Sequence, residues 1–98
     1  MNYIGYDGEE NKLQVGDICT FKIAGESFDR EGIIIYDDAE YAYCFEMQDG
    51  SFPVVLMNKT KLGTIKKIVS VWETKVNDER FKWYQEITNS VLKAKGVI

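Results

Sequence analysis

Apolar and polar residues alternate with period two over 18–23, where Ile18, Thr20 and Lys22 fall on one side and Cys19, Phe21 and Ile23 on the other. β-Branched and aromatic residues dominate this run, so it predicts a strand, and Gly25 closes it. The polar segment 24–30 then leads to Gly32-Ile33-Ile34-Ile35-Tyr36, a continuous branched run that suits a strand buried on both faces and ends at Asp37-Asp38. Over 40–47 the alternation is clearest, with Tyr41, Tyr43, Phe45 and Met47 on one face and Ala42, Cys44 and Glu46 on the other. Asp49-Gly50 tolerates positive φ at both positions and predicts a tight type I′ hairpin into a strand over 52–57. Pro53 lacks a ladder donor, which confines it to a strand start, a bulge or an edge. After a polar, lysine-containing loop over 58–63, a strand pattern resumes over 64–73, and its doubled apolar pairs at 68–69 and 71–72 predict a bulge.

Beyond Thr74 the period changes. Phe81, Tyr84, Ile87, Val91 and Leu92 are spaced by three or four and define one helical face over about 78–94. Asn77 or Asp78 is suited to cap it, Asp78 and Glu79 in the first turn and Lys93 and Lys95 in the last complement the helix dipole, and Gly96 is a natural stop. The first 17 residues, with Gly5, Gly8 and Gly16, read as turn-rich with at most a short strand at Tyr3-Ile4, regular structure beginning at Val15. The pattern predicts a mainly β domain: a small antiparallel, partly open β-barrel of SH3-like type over about 15–74, with one C-terminal α-helix.

The 98 residues, 45% apolar and 13% aromatic, are enough for one core and too few for a second full domain. Histidine is absent, which removes imidazole bases, imidazole metal ligands and a histidine pH switch. The net charge of −4 is unevenly distributed: residues 1–50 carry 12 acidic and 3 basic side chains, residues 51–98 carry 4 and 9. Such asymmetry can steer a charged partner, unless strands from both halves interleave in one sheet. Cys19 and Cys44 sit inside apolar runs and read as reduced, buried thiols. No apolar run approaches the roughly 20 residues of a membrane span, and Met-Asn-Tyr-Ile is not a basic region followed by an apolar one, so a cytoplasmic location is expected.

Catalytic chemistry finds little support. Asp17, Asp29, Glu31, Asp37, Asp38 and Glu46 offer carboxylates, but no spacing among them selects an acid–base pair. Ser27, Ser51 and the cysteines have no histidine to activate them, and no glycine-rich loop is present to cradle phosphate. Asp37, Asp38 and Glu40 have the oxygen chemistry of a hard-cation site, yet they match no calcium-loop spacing and a strand-ending turn explains them. No catalytic residue, metal site or cofactor is therefore expected.

Two binding chemistries remain. The stripe Tyr41, Tyr43, Phe45 has the form of a base-stacking platform, but acidic neighbours flank it and phosphate needs a positive groove. Lys59, Lys61, Lys66 and Lys67 supply positive charge in the second half, and lysines on strands and loops also protect against edge pairing. Acidic side chains spaced along strands can instead mimic a phosphate ladder and occupy a basic groove on another protein. The candidate contact surface comprises Glu26, Asp29, Glu31, Asp37, Asp38, Glu40 and Asp49, with Tyr36 and Tyr41 as amphipathic anchors. Trp83, off the main helical face, is a candidate second interface for a partner or for self-association through the helix.

Val15-Gly16-Asp17-Ile18, then Gly32-Ile33-Ile34-Ile35-Tyr36-Asp37-Asp38 with the aromatic alternation from Tyr41 to Phe45, then Asp49-Gly50-Ser51 and Ile68-Val69-Ser70-Val71-Trp72-Glu73 follow one another in an order and spacing that resembles the YopX-like proteins of bacteriophages and prophages. The resemblance covers roughly residues 7–75. Val69 and Ser70 depart from the family's closing series, where glycine and asparagine are usual, and the terminal helix lies outside the pattern. The resemblance implies a small barrel-like fold in a phage or mobile-element protein with no established catalytic activity, and it transfers no functional residues. The expectation is thus a non-enzymatic, cytoplasmic phage-type protein that binds a host or phage macromolecule, most sharply an acidic nucleic-acid mimic inhibiting a host defence nuclease or regulator. The alternatives are direct nucleic-acid binding through the lysine-rich second half and a small carboxylate-dependent enzyme.

Overall fold

A computed structural model describes residues 5–39, 41–48, 54–61 and 63–87. Two short strands, β1 (Gly5–Tyr6) and β2 (Lys12–Leu13), form an antiparallel hairpin. Five more, β3 (Asp17–Phe21), β4 (Arg30–Asp37), β5 (Ala42–Glu46), β6 (Val54–Leu56) and β7 (Lys66–Ser70), make an antiparallel sheet in the order β6-β5-β4-β3-β7. A 3₁₀ turn at Met57–Lys59 follows β6, and Thr60 bridges back to Ile23 beyond the end of β3. The sheet therefore curls toward closure, but the described parts of edge strands β6 and β7 do not pair with each other. This is the mainly β arrangement expected from the sequence, an antiparallel sheet that is not closed, with one helix, α1 (Lys82–Ile87), after it among the described residues.

The core explains why β4 is a continuous apolar run. Its neighbours on both sides are strands, and Ile33, Ile34 and Ile35 are all fully buried although they alternate between faces. On one face Ile34 pairs with Phe45, and Phe45 stacks on Phe21 with ring centroids 4.0 Å apart. On the other, Ile33 pairs with Ile18 and Ile35 with Cys44. Phe81 and Tyr84 join the same buried cluster, with Trp83 and Ile87 packed against it. Burying each of these large side chains contributes about 1.5–3 kcal/mol. The predicted bulge is present: Ile18 pairs with Val69 but Cys19 with Lys67, so Ile68 is the extra residue of β7.

Several boundaries differ from the sequence expectation. Regular structure begins before Val15, because Asp7 organises the β1–β2 hairpin: its carboxylate accepts the main-chain N–H groups of Glu9, Asn11 and Lys67 and the Asn11 side-chain amide. The expected strand at Tyr3-Ile4 lies outside the described residues. Tyr41 does not belong to β5. It has φ +52° in the left-handed region, so the strand starts at Ala42 and only Tyr43, Phe45 and Met47 keep the predicted face. The end of the 64–73 pattern is a 3₁₀ turn at Val71–Glu73, in which the Ser70 side chain accepts the Trp72 N–H. The helix starts at Lys82 rather than 78, since Asp78 spends its side chain on the Arg80 N–H and its carbonyl on the Phe81 N–H in a separate turn. The Asp49-Gly50 turn, Pro53 and the predicted helical positions after Ile87 lie outside the described residues.

Candidate interaction surface

The candidate acidic residues divide between the two ends of β4. At its start, Glu26 accepts two parallel hydrogen bonds from the Arg30 guanidinium, at 3.0 and 2.9 Å. That bond to Arg30 holds the Glu26 carboxyl below its ordinary range, and the Lys22 ammonium does the same for Asp29. Glu31 accepts the Tyr84 hydroxyl at 2.8 Å, and the Arg80 guanidinium lies 3.9 Å away. Each carboxylate at this end therefore has a cation beside it, which leaves little net negative field to present to a partner.

The other end is different. Asp37 closes β4 by accepting the Ala39 N–H at 2.9 Å, the short-range bond that makes aspartate a turn former. Among the described residues neither Asp37 nor Asp38 is ion-paired. Beneath this tip, cross-strand partners Tyr36 and Tyr43 meet edge to face with centroids 5.2 Å apart, both half-buried. Tyr41 stands out at 84% exposure from a backbone that a non-glycine residue rarely adopts. The sequence put it on one strand face with Tyr43 and Phe45 and also among the contact anchors; the structure takes it out of the strand, into the exposed turn that follows Asp37 and Asp38. Glu40 and Asp49, the other candidates, lie outside the described residues.

Trp83 is half-buried, packed against the core and edge to face with Tyr84 at 5.1 Å. The exposed tryptophan is Trp72, at 50%, and its indole lies over Gly16, where a Cβ would come within 2.5 Å of Nε1. The sequence signal for this was the glycine in Val15-Gly16-Asp17, a position with φ +98° and a ring against its Cα. Trp72, Val76 and Gln85 line a groove of about 430 Å³ between the 71–77 segment and α1.

The remaining chemistry-bearing groups are structural. Asp17 is buried, accepts the Gln14 N–H at 2.9 Å and has Lys67 Nζ at 3.6 Å; burial nonetheless raises its pKa above the ordinary value. Burial also pushes the Cys19 thiol up, the direction that makes a thiol unreactive. Cys19 and Cys44 are both free and buried. Among the described residues no three acidic or cysteine side chains gather as metal ligands, and no helix is long and apolar enough to cross a membrane. No protein-family model, curated protein or solved structure matches this chain.

Proposed function

We propose that this chain is a non-enzymatic binding module that engages a basic macromolecular surface through the β4–β5 hairpin tip, with Tyr36, Asp37, Asp38 and Tyr41 as the contact residues. The observation that carries the reading is the exposure of Tyr41 beside Asp37 and Asp38, carboxylates with no described cation to neutralise them. An aromatic ring with a polar tip and few rotatable bonds gives contact area at low entropic cost, and adjacent uncompensated charge steers a basic partner. Glu26, Asp29 and Glu31 are secondary in this reading, because their own cations compete with any partner. The resemblance to YopX-like proteins supplies the setting, a phage or mobile-element protein in a bacterial cytoplasm. Its sharpest form is occupancy of the nucleic-acid groove of a host nuclease or regulator.

The test is capture of bacterial lysate proteins on the immobilised chain at low and high salt, with and without duplex DNA, comparing wild type with Asp37→Lys/Asp38→Lys and Tyr41→Ala. The expected result is a basic nucleic-acid-binding protein that duplex DNA and salt both release and that neither variant retains. The same proteins on wild type and variants would move the contact surface elsewhere.

A further inference from the structure

Two large apolar side chains that the fold leaves exposed, Trp72 and Val76, line one groove, the one between the 71–77 segment and α1, and the β4–β5 tip uses neither. Val76 is 87% exposed, and Trp72 stays half exposed although its indole lies against Gly16. The groove has a fixed shape. Buried Val71 anchors the 71–77 segment in the core, and the Gln85 side chain on α1 bonds to Thr74, Lys75 and Asn77 of that segment. A tryptophan and an aliphatic neighbour presented on a preformed surface with a polar rim are the makings of a protein contact.

The charges of the lining select the partner. Lys82 and Glu86, one helical turn apart on α1, both line the groove and are both exposed, and among the described residues neither has an ion pair. Lysine preceding glutamate at this spacing is the weaker order for a pair within one helix, so both charges are available to a partner. The 71–77 segment is balanced in the same way, by exposed Glu73 and Lys75. A partner of one charge sign loses at one of these residues what it gains at the other. A second copy of the chain does not, because a two-fold axis across α1 sets Lys82 of each copy opposite Glu86 of the other. We propose that this groove is a self-association surface, in which two copies bury Trp72 and Val76 against each other and exchange Lys82–Glu86 ion pairs at the rim. The surface is small, which makes the dimer a weak, reversible one. It does not depend on the tip's having a partner.

The experiment is sedimentation of the full chain from about 1 μM to about 1 mM, the range of dissociation constants open to a small interface. The expected result is a monomer–dimer equilibrium. Association is about tenfold weaker or more in Val76→Asp, which puts a charge into the apolar centre, and in Lys82→Glu and Glu86→Lys, each of which faces like charges across the axis. Mixing the two reversed variants restores the dimer, since each supplies the sign that the other lacks. All three positions are exposed, so the variants keep the fold. A monomer over the whole range would overturn the proposal, whether residues 88–98 or another protein then proves to fill the groove. So would a dimer that Val76→Asp leaves unchanged, or reversed variants that stay monomeric when mixed.

Discussion

Asp7 shows how one side chain fixes a region that has no periodicity of its own. Burial alone would raise its pKa, but the N–H of Lys67, then the side chain and backbone of Asn11 and the backbone of Glu9, outweigh burial and lower it to about 2. A carboxylate whose folded pKa lies below its ordinary value of 3.8 contributes stability above that value and loses it as pH falls toward 2. Urea melts between pH 5 and 2 are therefore expected to show an acid limb that is shallower in Asp7→Asn. The substitution costs about 1–3 kcal/mol at neutral pH, because its amide turns a donor toward main-chain donors. Gly16 makes a second prediction at this scale. Its φ of +98° and the indole of Trp72 leave no room for a methyl, so Gly16→Ala is expected to lose about 1–3 kcal/mol and to change the tryptophan emission of the folded state.

Between elements, α1 docks through the buried Tyr84 ring and the packing of Trp83 and Ile87, and the Tyr84 hydroxyl adds a bond to Glu31, 53 residues away in sequence. Tyr84→Phe keeps the buried ring and removes the bond, so a loss of about 1 kcal/mol in a denaturant melt is expected, well short of the cost of Tyr84→Ala. Gln85 ties the preceding segment to the same helix, donating to Thr74 Oγ1 and the Lys75 carbonyl and accepting the Asn77 N–H. Central strands β3, β4 and β5 and the β7 bulge were legible in the sequence, because side-chain alternation reports directly which face is buried. The β1–β2 hairpin was not. Its strands are two residues each, and the bond that holds it reaches 60 residues away to Lys67. Tyr41 was misplaced for a related reason: alternation marks a face but not where a strand ends, and here the Asp37 turn takes residue 41 out of register. Of the acidic candidates, only Glu26 has its cation within one turn of sequence. The partners of Asp29 and Glu31 come from other elements, β3's end and the turn before α1, which no local reading reaches.

For the molecule as a whole, the two oppositely charged halves of the sequence interleave in one sheet among the described residues. β7, from the basic half, pairs with β3 from the acidic half, and Lys67 lies against Asp17. What remains is a local feature, the Asp37 and Asp38 carboxylates at the β4–β5 tip, which have no ion-pair partner among the described residues. Cys19 lies inside the cooperative core, so thiol labelling of the native protein is expected to track global unfolding, slowing in proportion to stability and accelerating in Gly16→Ala. The tip, by contrast, carries little of the folding energy. Asp37→Lys/Asp38→Lys is expected to shift the melting midpoint by no more than an exposed turn substitution does, about 0.5–1 kcal/mol, while removing partner binding. The most direct test of the tip as the contact surface is amide hydrogen exchange of the chain alone and bound to its captured partner. New protection centred on Tyr36 through Tyr43 is the predicted result, and protection confined to Glu26 through Glu31 or to α1, with the tip unchanged, would contradict it.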